Sequence, residues 1–138
     1  MSYDLTIAKD QTFSASTRFS DLADFLRATE NVKPNGDRGF VFEPSANRRM
    51  EIDLEVVSDE GDNIEEEGRE YPEINCVRLH IPYSMLGNNP GQDYFPLALT
   101  IAERLAWTAY DDQSGEPISR QQVERDLATI RKPWWKFW

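Results

Sequence analysis

A chain of 138 residues, 39% hydrophobic and 12% aromatic, is long enough to bury a core as one domain without disulfides or a structural metal. Its formal charge of −10 disfavours direct binding to nucleic acid or an anionic membrane, since both need cationic surface. No apolar run approaches the roughly 20 residues of a membrane span. No basic segment marks a secretory signal, and Cys76 is alone, so the expected compartment is the cytoplasm.

Tyr3, Leu5 and Ile7 alternate with Asp4 and Thr6, the period-2 signature of a half-buried strand. Phe19, Leu22, Phe25, Leu26 and Thr29 then fall on one helical face, with Ser20 as the expected N-cap and Asp21 in the first turn. Pro34-Asn35-Gly36-Asp37 is a turn signal, Gly39–Glu43 reads as a strand, and Pro44–Asn47 as the next turn. Met50, Ile52, Leu54 and Val56 alternate with Glu51, Asp53 and Glu55 in the clearest strand. A second alternation, Ile74–Tyr83, turns Val77, Leu79 and Ile81 inward and Cys76, Arg78 and His80 outward. Antiparallel pairing of these two strands sets Arg78 and His80 across from the Glu51–Glu55 row, where opposite charges stabilise by ~0.2–1 kcal/mol each.

After the Leu86–Gly91 loop, Asp93 precedes a helix with Pro96 near its first turn and a broad apolar face of Leu97, Ala98, Ile101, Ala102, Leu105 and Ala109. Trp107–Tyr110 either extends that helix or starts a short strand before the Asp111–Gly115 turn. Ser119 and Gln122 form a capping-box pattern ahead of Val123, Leu127 and Ile130, the stripe of a last helix that Pro133 ends. The order β-α-β-β-β-α plus a C-terminal helix predicts an α+β fold, an antiparallel sheet of about four strands with helices on one face. Residues 1–132 form one domain in this reading, and 133–138 an aromatic tail.

The charge is local. Residues 58–73 carry eight acids against Arg69, a net −7, while residues 1–57 carry −3 and residues 74–138 are neutral. This loop, with Asp59, Glu60, Asp62, Glu65, Glu66, Glu67 and Glu70, is longer than most connections in compact domains. It reads either as a self-repelling, disordered insertion that aids solubility or as a docking element for a basic partner. The tail is the second unusual feature, because Trp134, Trp135, Phe137 and Trp138 crowd the last five positions. It either folds back on the domain or offers a contact patch to another protein or a second copy.

Catalytic signals are sparse. The single His80 shares its strand face with Arg78 and Cys76, and the Cys76–His80 spacing along a strand is too long for a direct hydrogen bond. Glu51, Asp53 and Glu55 could offer oxygens to a hard cation, but Asp59–Asn63 lacks the ligand spacing of an EF-hand loop. One His and one Cys make no zinc quartet, and no glycine loop has the setting for phosphate binding. No metal, cofactor or catalytic set is expected.

The opening Ser2-Tyr-Asp-Leu5, the segment Ile101–Gly115 and the ending Pro133-Trp-Trp-Lys-Phe137 resemble small immunity proteins of bacterial polymorphic-toxin and type VI secretion systems, over about a third of the chain. The resemblance implies a non-enzymatic protein that neutralises a cognate toxin with a basic surface; it carries over no contact residue. The expected partner-binding residues, from charge and aromaticity, are Glu51, Asp53, Glu55, Asp59, Glu60, Asp62, Glu65, Glu66, Glu67, Glu70, Trp134, Trp135 and Trp138. The rival expectations are an adaptor that docks or self-associates through the Trp tail and, as the least favoured, an enzyme of unfamiliar type.

Overall fold

The structure is a computed structural model, and it describes residues 2–86 and 93–119. Among the described residues, eight strands and three helices run in the order β1 (Ser2–Ala8), β2 (Thr17–Arg18), α1 (Phe19–Arg27), β3 (Val32–Pro34), β4 (Gly39–Ser45), β5 (Arg48–Glu55), β6 (Glu73–Ile74), β7 (Cys76–Pro82), α2 (Tyr83–Leu86), α3 (Tyr94–Leu105) and β8 (Thr108–Asp111). Six strands form one sheet in the order β3-β4-β5-β7-β1-β8, and β2 pairs with β6 in a second, two-stranded sheet. Every pairing is antiparallel. The fold is α+β as expected, with a wider sheet. The added edge strands β3 and β8 are three and four residues long, too short for a period-2 pattern to register.

Alternation decides which face is buried. Met50, Ile52 and Leu54 on β5, Val77, Leu79 and Ile81 on β7, and Leu5 and Ile7 on β1 are all buried and point to one side. Leu22, Ala23 and Leu26 of α1 and Tyr94, Leu97, Ala98, Ile101 and Ala102 of α3 join them in a single core. Fully burying one such aliphatic side chain contributes about 1.5–3 kcal/mol, so this face holds the domain together.

The helix ends differ from expectation in one place. Ser20 lies inside the first turn of α1, and Arg18 at the cap position makes no side-chain capping bond. The Pro72 carbonyl accepts from Phe19 N at 2.9 Å, so the returning chain satisfies the helix end that a serine would otherwise cap. For α3 the expected start is found: Asp93 Oδ1 accepts from Tyr94 N at 2.8 Å. That helix ends on Ala106 in the left-handed region, with Trp107 N donating to Ala102 O at 2.9 Å. The reversal leaves Thr108–Asp111 free to pair with β1, which resolves the Trp107–Tyr110 ambiguity in favour of a strand. The expected C-terminal helix, the tail with Trp134, Trp135 and Trp138, and the Gly87–Gly91 part of the preceding loop lie outside the described residues.

Candidate functional site

With α1 and α3 on the inner face, the outer face of the sheet carries the polar half of each alternation. β5 and β7 pair so that Glu51 opposes His80, Asp53 opposes Arg78 and Glu55 opposes Cys76. On the other side of β7, Asp4 of β1 opposes His80 and Thr6 opposes Arg78. The anticipated charge-complementary pairing is therefore present and gains a third strand.

His80 sits between two carboxylates. Its Nδ1 is 2.8 Å from Asp4 Oδ1 and its Nε2 is 3.4 Å from Asp53 Oδ2. Both ring nitrogens then act as donors, which only the imidazolium can do. The bond to Asp53 raises the pKa of the ring most, against the opposing effect of burial, and with Asp4 holds it at about 9. Burial works to raise the Asp4 carboxyl too, but the hydrogen bonds from Ser2 and His80 outweigh it and hold the group below its ordinary value. A histidine committed as a cation has no free nitrogen to act as a general base.

The neighbouring groups are tied up in the same way. Arg78 Nε lies 3.2 Å from Glu55 Oε2, and its Nη2 donates to the Gly61 carbonyl. Arg38 Nε and Glu65 Oε1 are in contact at 2.5 Å, an ion pair whose alignment is not that of a hydrogen bond. Arg49 and Glu51 pair loosely at 3.6 Å. Of the carboxylate row expected to meet a partner, Asp53 and Glu55 are thus neutralised within the protein.

The acidic segment 58–73 is a folded arm, which overturns the disordered alternative. Gly61 N donates to Ser58 O at 2.9 Å and Ser58 N to Asp62 O at 2.8 Å, closing a tight reversal with Gly61 at φ +89. Val57 and Asn63 then bridge, and Ile64 N reaches Val56 O at 3.0 Å. The Asn75 side chain completes the base of the arm, accepting from Val57 N at 2.8 Å and donating to Val57 O at 2.9 Å. Further out, the Tyr71 hydroxyl accepts from Glu66 N at 2.8 Å. Cys76, expected to face outward in the open, is fully buried in the outer face, and burial pushes its thiol up to about 12.

The arm reaches over the outer face at Arg78 and leaves two clefts that share this residue. The larger, about 490 Å³, is lined by Arg38, Asp53, Glu55, Glu65 and His80. The smaller, about 320 Å³, is lined by Thr6, Phe13, Glu60, Tyr110 and Asp112. Of the expected partner-binding acids, Asp59, Glu60, Asp62, Glu67 and Glu70 are exposed and make no salt bridge among the described residues, while Glu66 meets Arg69 at 3.9 Å. Ile64 beside them is 51% exposed, the most exposed large apolar side chain among the described residues.

Sequence reasoning missed Asp4, Thr6, Phe13, Tyr110 and Asp112. Asp4 and Thr6 were visible as the outward half of β1, but nothing local tells which strands flank them. Among the described residues no group of three His, Cys, Asp or Glu side chains could hold a metal ion, and no helix is long and apolar enough to cross a membrane. Comparisons with protein families, with curated proteins and with solved structures give no match.

Proposed function

We propose that this is a non-enzymatic binding protein of the immunity type, which neutralises a bacterial toxin in the cytoplasm by docking on its basic surface. The observation that carries the reading is the acidic arm: a folded ridge whose outer carboxylates lack ion-pair partners among the described residues, whereas those of the sheet are matched internally. Uncompensated like charges destabilise a free protein and become favourable when a cationic surface arrives, and they speed association at low salt. Because the arm is ordered before binding, little conformational entropy is lost on docking. Ile64 supplies an apolar contact at the centre of this charged rim, the arrangement in which binding energy concentrates. The resemblance to immunity proteins points the same way.

The test is co-expression in bacterial cells with the product of any toxin-like reading frame found next to the gene. The expected result is growth with the wild-type chain and loss of protection when Asp59, Glu60, Glu67 and Glu70 are changed to Lys. Full protection by that variant, folded as judged by circular dichroism, would remove the electrostatic mechanism.

A further inference from the structure

We infer that the smaller cleft on the outer face is a pocket for an arginine side chain presented by the basic partner. This rests on the proposed function for the nature of the partner, while the pocket itself rests on its own geometry. Its volume of about 320 Å³ suits a side chain rather than a whole small domain or a bare ion, and its walls include two aromatic rings, Phe13 and Tyr110. Phe13 is fixed there by the arm, since its ring lies against Gly61, where an added Cβ would come within 3.2 Å of it. Tyr110 stands across from Thr6 in the β1–β8 register, so both belong to the sheet floor.

The charges are unbalanced in a way the larger cleft is not. In the larger cleft Arg38, Arg78 and His80 face Asp53, Glu55 and Glu65, and the two sets meet in ion pairs. In the smaller cleft Asp10, Glu60, Asp111 and Asp112 line a space whose sole cation among the described lining residues is Arg78, already turned to Glu55 and the Gly61 carbonyl. Asp10 is occupied by Thr12 and Ser14, and Asp111 by Tyr3. Asp112 is the group left with capacity. Its Oδ1 accepts from Thr6 at 2.7 Å, and its Oδ2 has no hydrogen-bond partner among the described residues. The side chain is exposed at the cleft mouth, and partial desolvation there holds its carboxyl above the ordinary value although Thr6 and Arg78 work to lower it.

A carboxylate with an unengaged oxygen in a cleft also lined by two aromatic residues matches a guanidinium in both respects. The planar fork donates to the carboxylate, and its face stacks on the aromatic rings, while the aliphatic stem covers their edges. An ammonium satisfies the carboxylate but stacks less well, so lysine should bind more weakly.

The probe is Nα-acetyl-arginine methylamide, titrated into the 15N-labelled protein and followed by NMR. Its neutral isostere, the citrulline compound, serves as control. Saturable shifts confined to amides around Thr6, Phe13, Tyr110 and Asp112, absent with citrulline, are expected. Asp112→Asn and Phe13→Ala should each weaken the probe by about fivefold or more, the size of one such contact. Equal shifts from both probes, shifts only along residues 59–70, or displacement of the probe by micromolar calcium would each overturn the pocket. The first comparison uses the wild-type protein, so a variant that misfolds does not remove the test. Loss of the pocket with protection still dependent on the arm leaves the proposed function standing. Arginine binding with protection independent of the arm leaves the pocket standing instead.

Discussion

The Asp4–His80–Asp53 arrangement makes a pH-dependent contribution to stability that can be worked out from the structure. His80 is the chain's one histidine, and its ring pKa rises from 6.5 to about 9 on folding, chiefly through the bond to Asp53. A raised pKa means that the folded state binds the proton more tightly, so the contribution is full below about pH 6.5 and disappears as pH rises through about 9. At 1.36 kcal/mol per pH unit the linkage has an upper bound of about 3 kcal/mol. The side chain is 33% exposed, so solvent screening brings the expectation down to about 1–2 kcal/mol. Asp4 and Asp53 flank the ring directly, while Glu51 opposes it on β5 and Arg78 stands two residues along its own strand. Urea denaturation of the wild type and His80→Gln from pH 6 to pH 10 isolates the term, because the other titrating groups are common to both. The gap in stability between the two proteins should shrink steadily across that range. The ring C2 proton gives a direct check by NMR, and Asp53→Asn should move its titration down toward 6.5. A native ring that titrates near 6.5 in the wild type, or two stability profiles that run parallel, would refute the reasoning.

Two further expectations concern groups away from the clefts. Asp93 both caps α3 and holds Arg48, with Nε to Oδ2 at 2.5 Å and Nη2 to Oδ1 at 2.6 Å, in a pair whose side chains are only 15–16% exposed. Asp93→Ala should cost about 2–3 kcal/mol in urea denaturation, since it removes a cap and both carboxylate bonds to the Arg48 guanidinium, whereas a loss under about 0.5 kcal/mol would make the pair superficial. Cys76 is fully buried with its thiol pushed up to about 12, so iodoacetamide at pH 8 should label it only when urea is added. Rapid labelling of the native protein would contradict that burial.

Legibility followed the range of the forces involved. Strands β1, β5 and β7 and helix α3 were readable because half-buried elements stamp their period on the sequence, as in Met50–Ile52–Leu54 against Glu51–Asp53–Glu55. The cross-strand charges of β5 and β7 were readable too, once antiparallel pairing was assumed. What could not be read was adjacency: β1 lies next to β7 and β8, seventy or more residues away, and only that placement brings Asp4 to His80 and Asp112 to Thr6. The order of the arm was left open for a related reason. Its charge argued for self-repulsion, while several of the bonds that order it come from Asn75, Arg78 and Tyr71, outside or at the far end of the acidic run. The α1 cap failed likewise, because Pro72 supplies from a distance what Ser20 suggested locally.

The ordering of the arm also sets stability of the free protein against strength of the proposed complex. Carboxylates held close together by a fixed backbone cannot spread apart as they would in a loose loop, so their repulsion persists in the native state. Replacing Glu67 or Glu70 by Lys would relieve that repulsion and make the isolated chain more robust, yet would remove charge on which the proposed docking relies. The same fixed charges that strain the free chain would therefore be the ones relieved by the cationic surface proposed as its occupant.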